Sequence, residues 1–182
     1  MTGMANIFRI LSDGSVEVHL TQNQATRIDA ADLETIQGYT WCASWSPHLR
    51  GFYVMSRMPG RGTRYLHRLL LGLLPGDKRH GDHINHDPLD NRRANLRVTT
   101  PHENQGNARK LVVSSSRFKG VSRDRARGKW KASICYGGRA NFKTHYLGRF
   151  ELEQDAARAY DAAAIRHYGP CANTNATMGL LQ

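Results

Sequence analysis

The residues best equipped for chemistry lie between positions 80 and 107. Asp82-His83 is followed by Asn95-Leu96-Arg97 and then, after Thr100-Pro101-His102-Glu103, by Asn104. Hydrolysing a phosphodiester requires a base for water and a cation that neutralises the pentacovalent phosphate and the leaving alkoxide. An imidazole, with an unperturbed pKa of ~6.5, suits the first task. Asp and Asn oxygens suit a hard cation such as magnesium, which keeps several waters and takes one or two carboxylates. The same stretch has two plainer readings: a solvated polar loop, or a zinc site of His80, His83 and His86 with His67. The conjunction of Asp-His, Asn-Leu-Arg and an Asn on a capped helix favours hydrolysis.

These side chains need elements to position them. Thr100 and Glu103 form a capping box with Pro101 at the first helical position, which predicts a helix starting at Pro101. Asn104 then lies one turn in, with Asn107 on roughly the same face. Asp82 to Ile84 and Asn95 to Val98 read as short strands joined by the loop 85–94. Neighbours on a regular strand point to opposite faces. Asp82 and His83 can therefore address one phosphate only if the strand ends or bends there, as the Asn/Asp/Pro-rich loop allows.

Upstream, residues 1 to about 65 read as β-rich. The signals are Ile7–Leu11, the Asp13-Gly14 turn, the alternating Val16–Leu20, and the blocks Tyr39–Trp45 and Phe52–Met55 around Pro47 and Gly51. Ile28 to Ile36 reads as a short helix, Tyr65 to Leu74 as a short apolar element, and Trp41 and Trp45 as core. The domain reading is 1–110 (a β-rich lead-in over 1–64, a catalytic core over 65–110), a Ser-rich linker over 111–117, and a second domain over 118–176.

With these residues in place, the segment resembles the HNH nucleases in their His-Asn-Asn variant, through His83, Asn95 and Asn104. Tyr65-Leu-His-Arg68, Asp82-His-Ile-Asn85, Leu89-Asp-Asn-Arg-Arg-Ala-Asn-Leu-Arg97 and Glu103-Asn-Gln-Gly-Asn107 look like the phage homing-endonuclease branch. The resemblance implies a ββα-metal fold with His83 as general base. It further implies one divalent ion, Mg2+ or Mn2+, held by Asp82 and Asn104, with Asn95 pinning the loop and orienting His83. Arg92, Arg93 and Arg97 would sit near the DNA backbone. Many HNH nucleases have His where Asn104 stands, and the weaker Asn ligand favours magnesium.

The charge is concentrated elsewhere. The 182 residues carry 26 Lys+Arg and 15 Asp+Glu, a net of +11. Residues 109–150 carry 12 basic side chains and a single acid, Asp124. Six aromatics in the same stretch, Phe118, Trp130, Tyr136, Phe142, Tyr146 and Phe150, argue against a disordered basic tail and for a folded polyanion-binding surface. The pattern is strand (117–123), strand (129–136), Gly137-Gly138 turn, strand (142–150) and helix (152–168), stopped by Gly169-Pro170. On Lys129–Tyr136, alternation puts Lys129, Lys131, Ser133 and Cys135 on one face and Trp130, Ala132, Ile134 and Tyr136 on the other. The helix offers Leu152, Ala156, Ala159, Tyr160, Ala163 and Ala164 to the second face, and a three-stranded sheet with one basic face can enter a major groove.

This segment resembles an ERF-type (Apetala-two) DNA-binding domain. The resemblance rests on Phe118-Lys-Gly-Val121, Gly128-Lys-Trp-Lys-Ala132, Tyr146-Leu-Gly-Arg-Phe150, residues 155–164, Tyr168-Gly169 and Asn175. It implies DNA readers at Arg123, Arg125, Arg127, Lys129, Lys131, Ser133, Thr144 and Tyr146, with Arg139 and Lys143 on phosphate. The first hairpin loop is one residue longer than in the plant domains, and Ser122 and Asp124 replace basic positions, so the plant target is not carried over.

The expected fold is α+β: a β-rich region running into the ββα-metal core, then a separate sheet packed on one helix. The expected function is a site-directed, strand-nicking DNA endonuclease. The competing readings are a DNA-binding regulator without catalysis and an RNA-binding module. The expected partner is double-stranded DNA, bound by a monomer or dimer with no small-molecule cofactor and no membrane. Three scattered cysteines suit a reducing compartment, here the cytoplasm of a bacterial or phage-infected cell.

Overall fold

A computed structural model describes residues 6–47, 50–58, 60, 62–108, 115–137 and 141–181. The chain divides into two compact units, Met1–Thr99 and Thr100–Gln182. Among the described residues the first holds three small antiparallel sheets. β1 (Phe8–Ile10), β2 (Ser15–His19) and β3 (Ala25–Asp29) make one; β4 (Cys42–Ser46), β5 (Gly51–Met58) and β6 (Gly62–Tyr65) make another. β7 (His80–His83) and β8 (Leu96–Thr99) form a two-stranded ribbon. A 3-10 turn at Ala30–Asp32 leads into the short helix α1 (Leu33–Gln37), and α2 (Leu66–Leu70) follows β6.

One core joins these pieces. Val16, Val18 and Ile28 from the first sheet meet Ile36, Trp41, Val54, Leu66 and Leu70, and Leu96 of β8 closes the cluster. Burying such side chains contributes roughly 1.5–3 kcal/mol each, so the β7–β8 ribbon is tied to the lead-in sheets through Leu96. Trp41 also donates its indole N–H to Ile36 O at 3.0 Å. Trp45, expected in the core, instead lies 53% exposed and edge-on to Phe52. Its cross-strand partner is Phe52 near the end of the β4–β5 hairpin, beyond the reach of the core. Ile28 belongs to strand β3 rather than to a helix, because Ser15–His19 pairs with Ala25–Asp29.

The second unit contains α3 (Pro101–Gly106), the sheet β9 (Val121–Asp124), β10 (Lys129–Tyr136) and β11 (Lys143–Phe150), and α4 (Glu153–Tyr168). α3 carries the expected cap: Thr100 Oγ1 accepts from Glu103 N, and Thr100 N donates to Glu103 Oε2 at 2.7 Å. It groups with this unit because Gln105 bridges to Gly137 in both directions and Gly106 O accepts from Asn173 N. Lys119 Nζ adds bonds to Gly106 O, Ala108 O and Asn173 O, and burial lowers its pKa to about 8. α4 lays Ala156, Ala157, Tyr160, Ala163 and Ala164 on the sheet. Leu152 precedes the first turn and stays 62% exposed rather than joining that face. The first strand starts at Val121, not at Arg117, because Phe118 turns inward and is fully buried.

That inward turn depends on Gly120, whose φ is +75° and whose absent Cβ would sit 1.8 Å from the Tyr160 ring. Gly120→Ala is expected to cost the second unit upwards of about 3 kcal/mol by combining overpacking with a left-handed backbone. Thermal unfolding of the full chain, followed at Trp130, checks this.

Candidate functional site

β7 ends at His83. His86 N returns to His83 O at 3.0 Å, and His86 takes a positive φ of 63°. The chain turns only after His83: the ladder runs in register through both residues, Asp82 opposite Arg97 and His83 opposite Leu96, and Ile84 N still donates to Asn95 O at 2.9 Å, so the bend expected between Asp82 and His83 is not there. Both are buried. Asp82 faces Arg97 across the ribbon, and Arg97 Nε donates to Asp82 Oδ2 at 2.8 Å.

The loop from Asn85 to Asn95 is laced internally. Asn95 spans it, with Oδ1 accepting from Asn85 N at 2.9 Å and Nδ2 donating to Asp90 O at 2.7 Å. Asn85 Nδ2 donates to Asp90 Oδ2. Arg92 grips Asp90 with two bonds of 2.8 Å, and that guanidinium holds the Asp90 carboxyl below its usual range. Arg93 reaches Asp32 through Nη2 at 2.7 Å, while its backbone N–H donates to Asp29 Oδ2. So Arg92, Arg93 and Arg97, read from sequence as lying near DNA, each already engage a carboxylate within the unit.

The ring of His83 meets a residue the sequence reading did not single out. His83 Nε2 lies 3.2 Å from Asn91 Oδ1, and Asn91 is 1% exposed. Position 91 stands among several Asn and Asp in one loop, and only the fold separates it from them. His67, at the start of α2, sets its ring edge-on to His83 with centroids 5.0 Å apart. Burial pushes the His67 pKa down to about 3, and burial also lowers that of His83. Among the described residues no three His, Cys, Asp or Glu side chains gather as a metal site, so the zinc reading finds no cluster. Asn104 lies on α3, in the second unit.

The sheet of the second unit presents a polar, basic face. On β10, Lys131 and Cys135 are exposed and Lys129 and Ser133 half-buried, while Ala132 and Ile134 are buried. β11 contains a bulge: Ala132 opposes Gly148 but Ser133 opposes Tyr146. The extra residue lets Arg149, Tyr146 and Thr144 share the face of Lys131, Ser133 and Cys135. Arg149 was not among the readers named from sequence, and Gly148, inside a strand with φ +133°, was the available signal for the bulge. Arg149 Nε bonds Asp124 Oδ2 at 2.7 Å and its guanidinium lies over Tyr146. Lys129 pairs with Glu151 at 2.7 Å. Arg123 opposes Trp130 and stacks on its ring at 4.8 Å, on the other side of the sheet from Lys131. Arg125, Arg127 and Lys143 are exposed, and Arg139 lies outside the described residues.

Residues 116–170 match the AP2 domain model. The chain is 34% identical over 113 residues to an uncharacterized HNH endonuclease, L560, of Acanthamoeba polyphaga mimivirus, covering 62% of this chain and 55% of that protein. It is 44% identical over 69 residues to the ethylene-responsive transcription factor ERF069 of Arabidopsis thaliana, 37% of this chain and 43% of that one. Against the AP2-like factor PLT2 of the same plant it is 46% identical over 61 residues, 34% of this chain and 10% of that protein. The chain thus spans about half the length of the viral relative and less of the plant ones. No solved structure matches.

The buried His67 has a pH consequence. Its pKa is depressed in the folded state, so below ~6.5 the unfolded chain binds a proton that the folded chain refuses. Stability is therefore complete above that pH and falls as pH drops toward about 3. By roughly pH 4 the loss reaches about 3 kcal/mol. His67→Gln should flatten this part of the stability–pH curve, as read by denaturant unfolding of wild type and variant at each pH.

Proposed function

We propose that this chain is a DNA endonuclease that hydrolyses a phosphodiester bond with His83 as general base, while the β9–β10–β11 sheet holds the duplex. The observation that carries the reading is the end of β7: a buried imidazole beside a buried, Arg-held carboxylate, at the mouth of a loop pinned by Asn95. β7, β8 and α3 follow one another in the order of a ββα-metal motif, and the similarity to an HNH endonuclease supports the same chemistry. The AP2 match supports duplex DNA as the partner.

In this reading His83 takes the proton of the attacking water, and burial favours the neutral, proton-accepting ring. A bound Mg2+ or Mn2+ would neutralise charge on the phosphate and the leaving oxygen. Asp82 and Asn104 are the oxygen donors assigned to it, a set whose chemistry fits a hard cation. Arg97 holds the Asp82 carboxylate in place. One base and one ion cut one strand, so the product is a nick. On the sheet, Lys131 and Arg149 supply the exposed charge for phosphate, with Tyr146, Thr144 and Ser133 between them.

His83→Ala is expected to abolish nicking of supercoiled plasmid in magnesium while changing the dissociation constant for DNA less than about 2-fold. Chelator should stop the wild type equally. A non-catalytic regulator would bind DNA and show no chelator-sensitive nicking. Lys131→Ala and Arg149→Ala should each weaken binding and reduce the slope of log K against log salt by about 0.9. Gel shifts across a salt series read this out.

A further inference from the structure

We propose that Asn91 is the positioning residue of His83: it fixes the imidazole as the Nε2–H tautomer, so that Nδ1 carries the lone pair, and its own amide is oriented by Thr26 of the lead-in sheet. This deepens the nuclease reading and rests on it for its catalytic meaning.

The assignment follows from counting donors and acceptors around one buried amide. Asn91 Nδ2 lies 3.0 Å from Pro88 O, and a carbonyl can only accept. The nitrogen end of the amide must therefore point there. The same Nδ2 lies 2.9 Å from Thr26 Oγ1. Thr26 spends its hydroxyl proton on Leu89 O at 2.6 Å, so its oxygen accepts from Asn91. Both amide protons are used, and no flip of Asn91 is compatible with Pro88 O and Thr26 together. Oδ1 is then the atom left facing His83 Nε2 at 3.2 Å. An amide oxygen has no proton to give, so Nε2 donates. In a neutral ring the other nitrogen, Nδ1, is then the basic one.

The frame around Asn91 is closed. Thr26 is fully buried and Asn91 is 1% exposed. The Asn91 backbone N–H donates to Arg27 O at 2.8 Å, and Arg27 N donates to Leu89 O at 2.9 Å. Edge strand β3 thus holds both the backbone and the side chain of the residue that selects the tautomer. A base with the proton on the wrong nitrogen retains its place and loses its function.

Long-range proton–nitrogen NMR on the full-length protein at pH 8, without metal or DNA, reads the tautomer directly. The His83 ring signals are identified by their loss in His83→Gln. The expected result is protonated Nε2 and unprotonated Nδ1; the Nδ1–H pattern would overturn the proposal. Asn91→Leu should free the Nε2 proton from its acceptor, so that its resonance exchanges with water faster than in the wild type, and should lower the nicking rate constant at least about 10-fold, with DNA affinity within about 2-fold. An Nε2–H exchange rate and a nicking rate both unchanged in that variant also overturn it. Should Asn91→Leu fail to fold, Thr26→Val against Thr26→Ser replaces it: the serine keeps the acceptor and should keep the wild-type pattern and rate. The valine removes the acceptor and should slow nicking several-fold, and equal rates for the two count against the proposal. A wild type with the Nε2–H pattern but no nicking would refute the nuclease reading and leave the tautomer assignment standing.

Discussion

Everything at His83 depends on the seam between edge strand β3 and the loop that follows β7. Arg27 lends its backbone N–H to Leu89 O and its backbone carbonyl to Asn91 N, as a neighbouring strand would. Thr26 adds its hydroxyl to Leu89 O. A long loop buries little apolar surface of its own, so backbone and amide bonds must hold it, and each unpaired buried group would cost about 1–3 kcal/mol. Asn95 performs the same service from inside the loop by tying Asn85 to Asp90. The lead-in sheet is therefore the wall against which the His83 ring is placed. It is more than a cover for the core.

The arginines of this region illustrate how charge is spent. Arg92, Arg93 and Arg97 answer Asp90, Asp32 and Asp82 in turn. Two of those pairs fasten the loop, and the third fixes the carboxylate next to His83 in the chain. The second unit keeps most of its charge on the surface, with the half-buried Lys119 and the buried Asp161 as exceptions. Its acids cluster on α4, where Glu153 and Asp155 suit the helix N-terminus, and on Asp161, which accepts from Asn175 and Ala176 to seal the chain end. Its cations lie largely on the sheet, with Lys131 exposed and Arg149 brought round by the bulge at Gly148.

Much of this was legible from residue order because the signals were local. The box at Thr100 and Glu103, the strand Lys129–Tyr136 with its two faces, and the stop at Gly169-Pro170 each draw on a few neighbouring residues, and each formed as expected. The Asp-His pair and the Asn that pins the loop were visible for the same reason. The bulge in β11 went unread, since a single inserted residue reverses every later side chain and leaves little local signal beyond Gly148. Trp45 and Leu152 were misread because their types favour burial while their places at element ends leave them exposed.

The sequence alone determined which chemistry the chain could hold: an imidazole and oxygen donors in one half, a cationic sheet backed by alanines in the other. Tertiary structure alone decided who serves whom. Thr26 and Asn91 are 65 residues apart in sequence, and their hydrogen bond exists only because β3 lies against the loop. The pairing of Arg93 with Asp32, and of Arg149 with the face of Lys131, likewise depends on register and closure. Residue types state what bonds a group is able to make; which of them form is fixed by the backbone that brings the partners within about 3 Å.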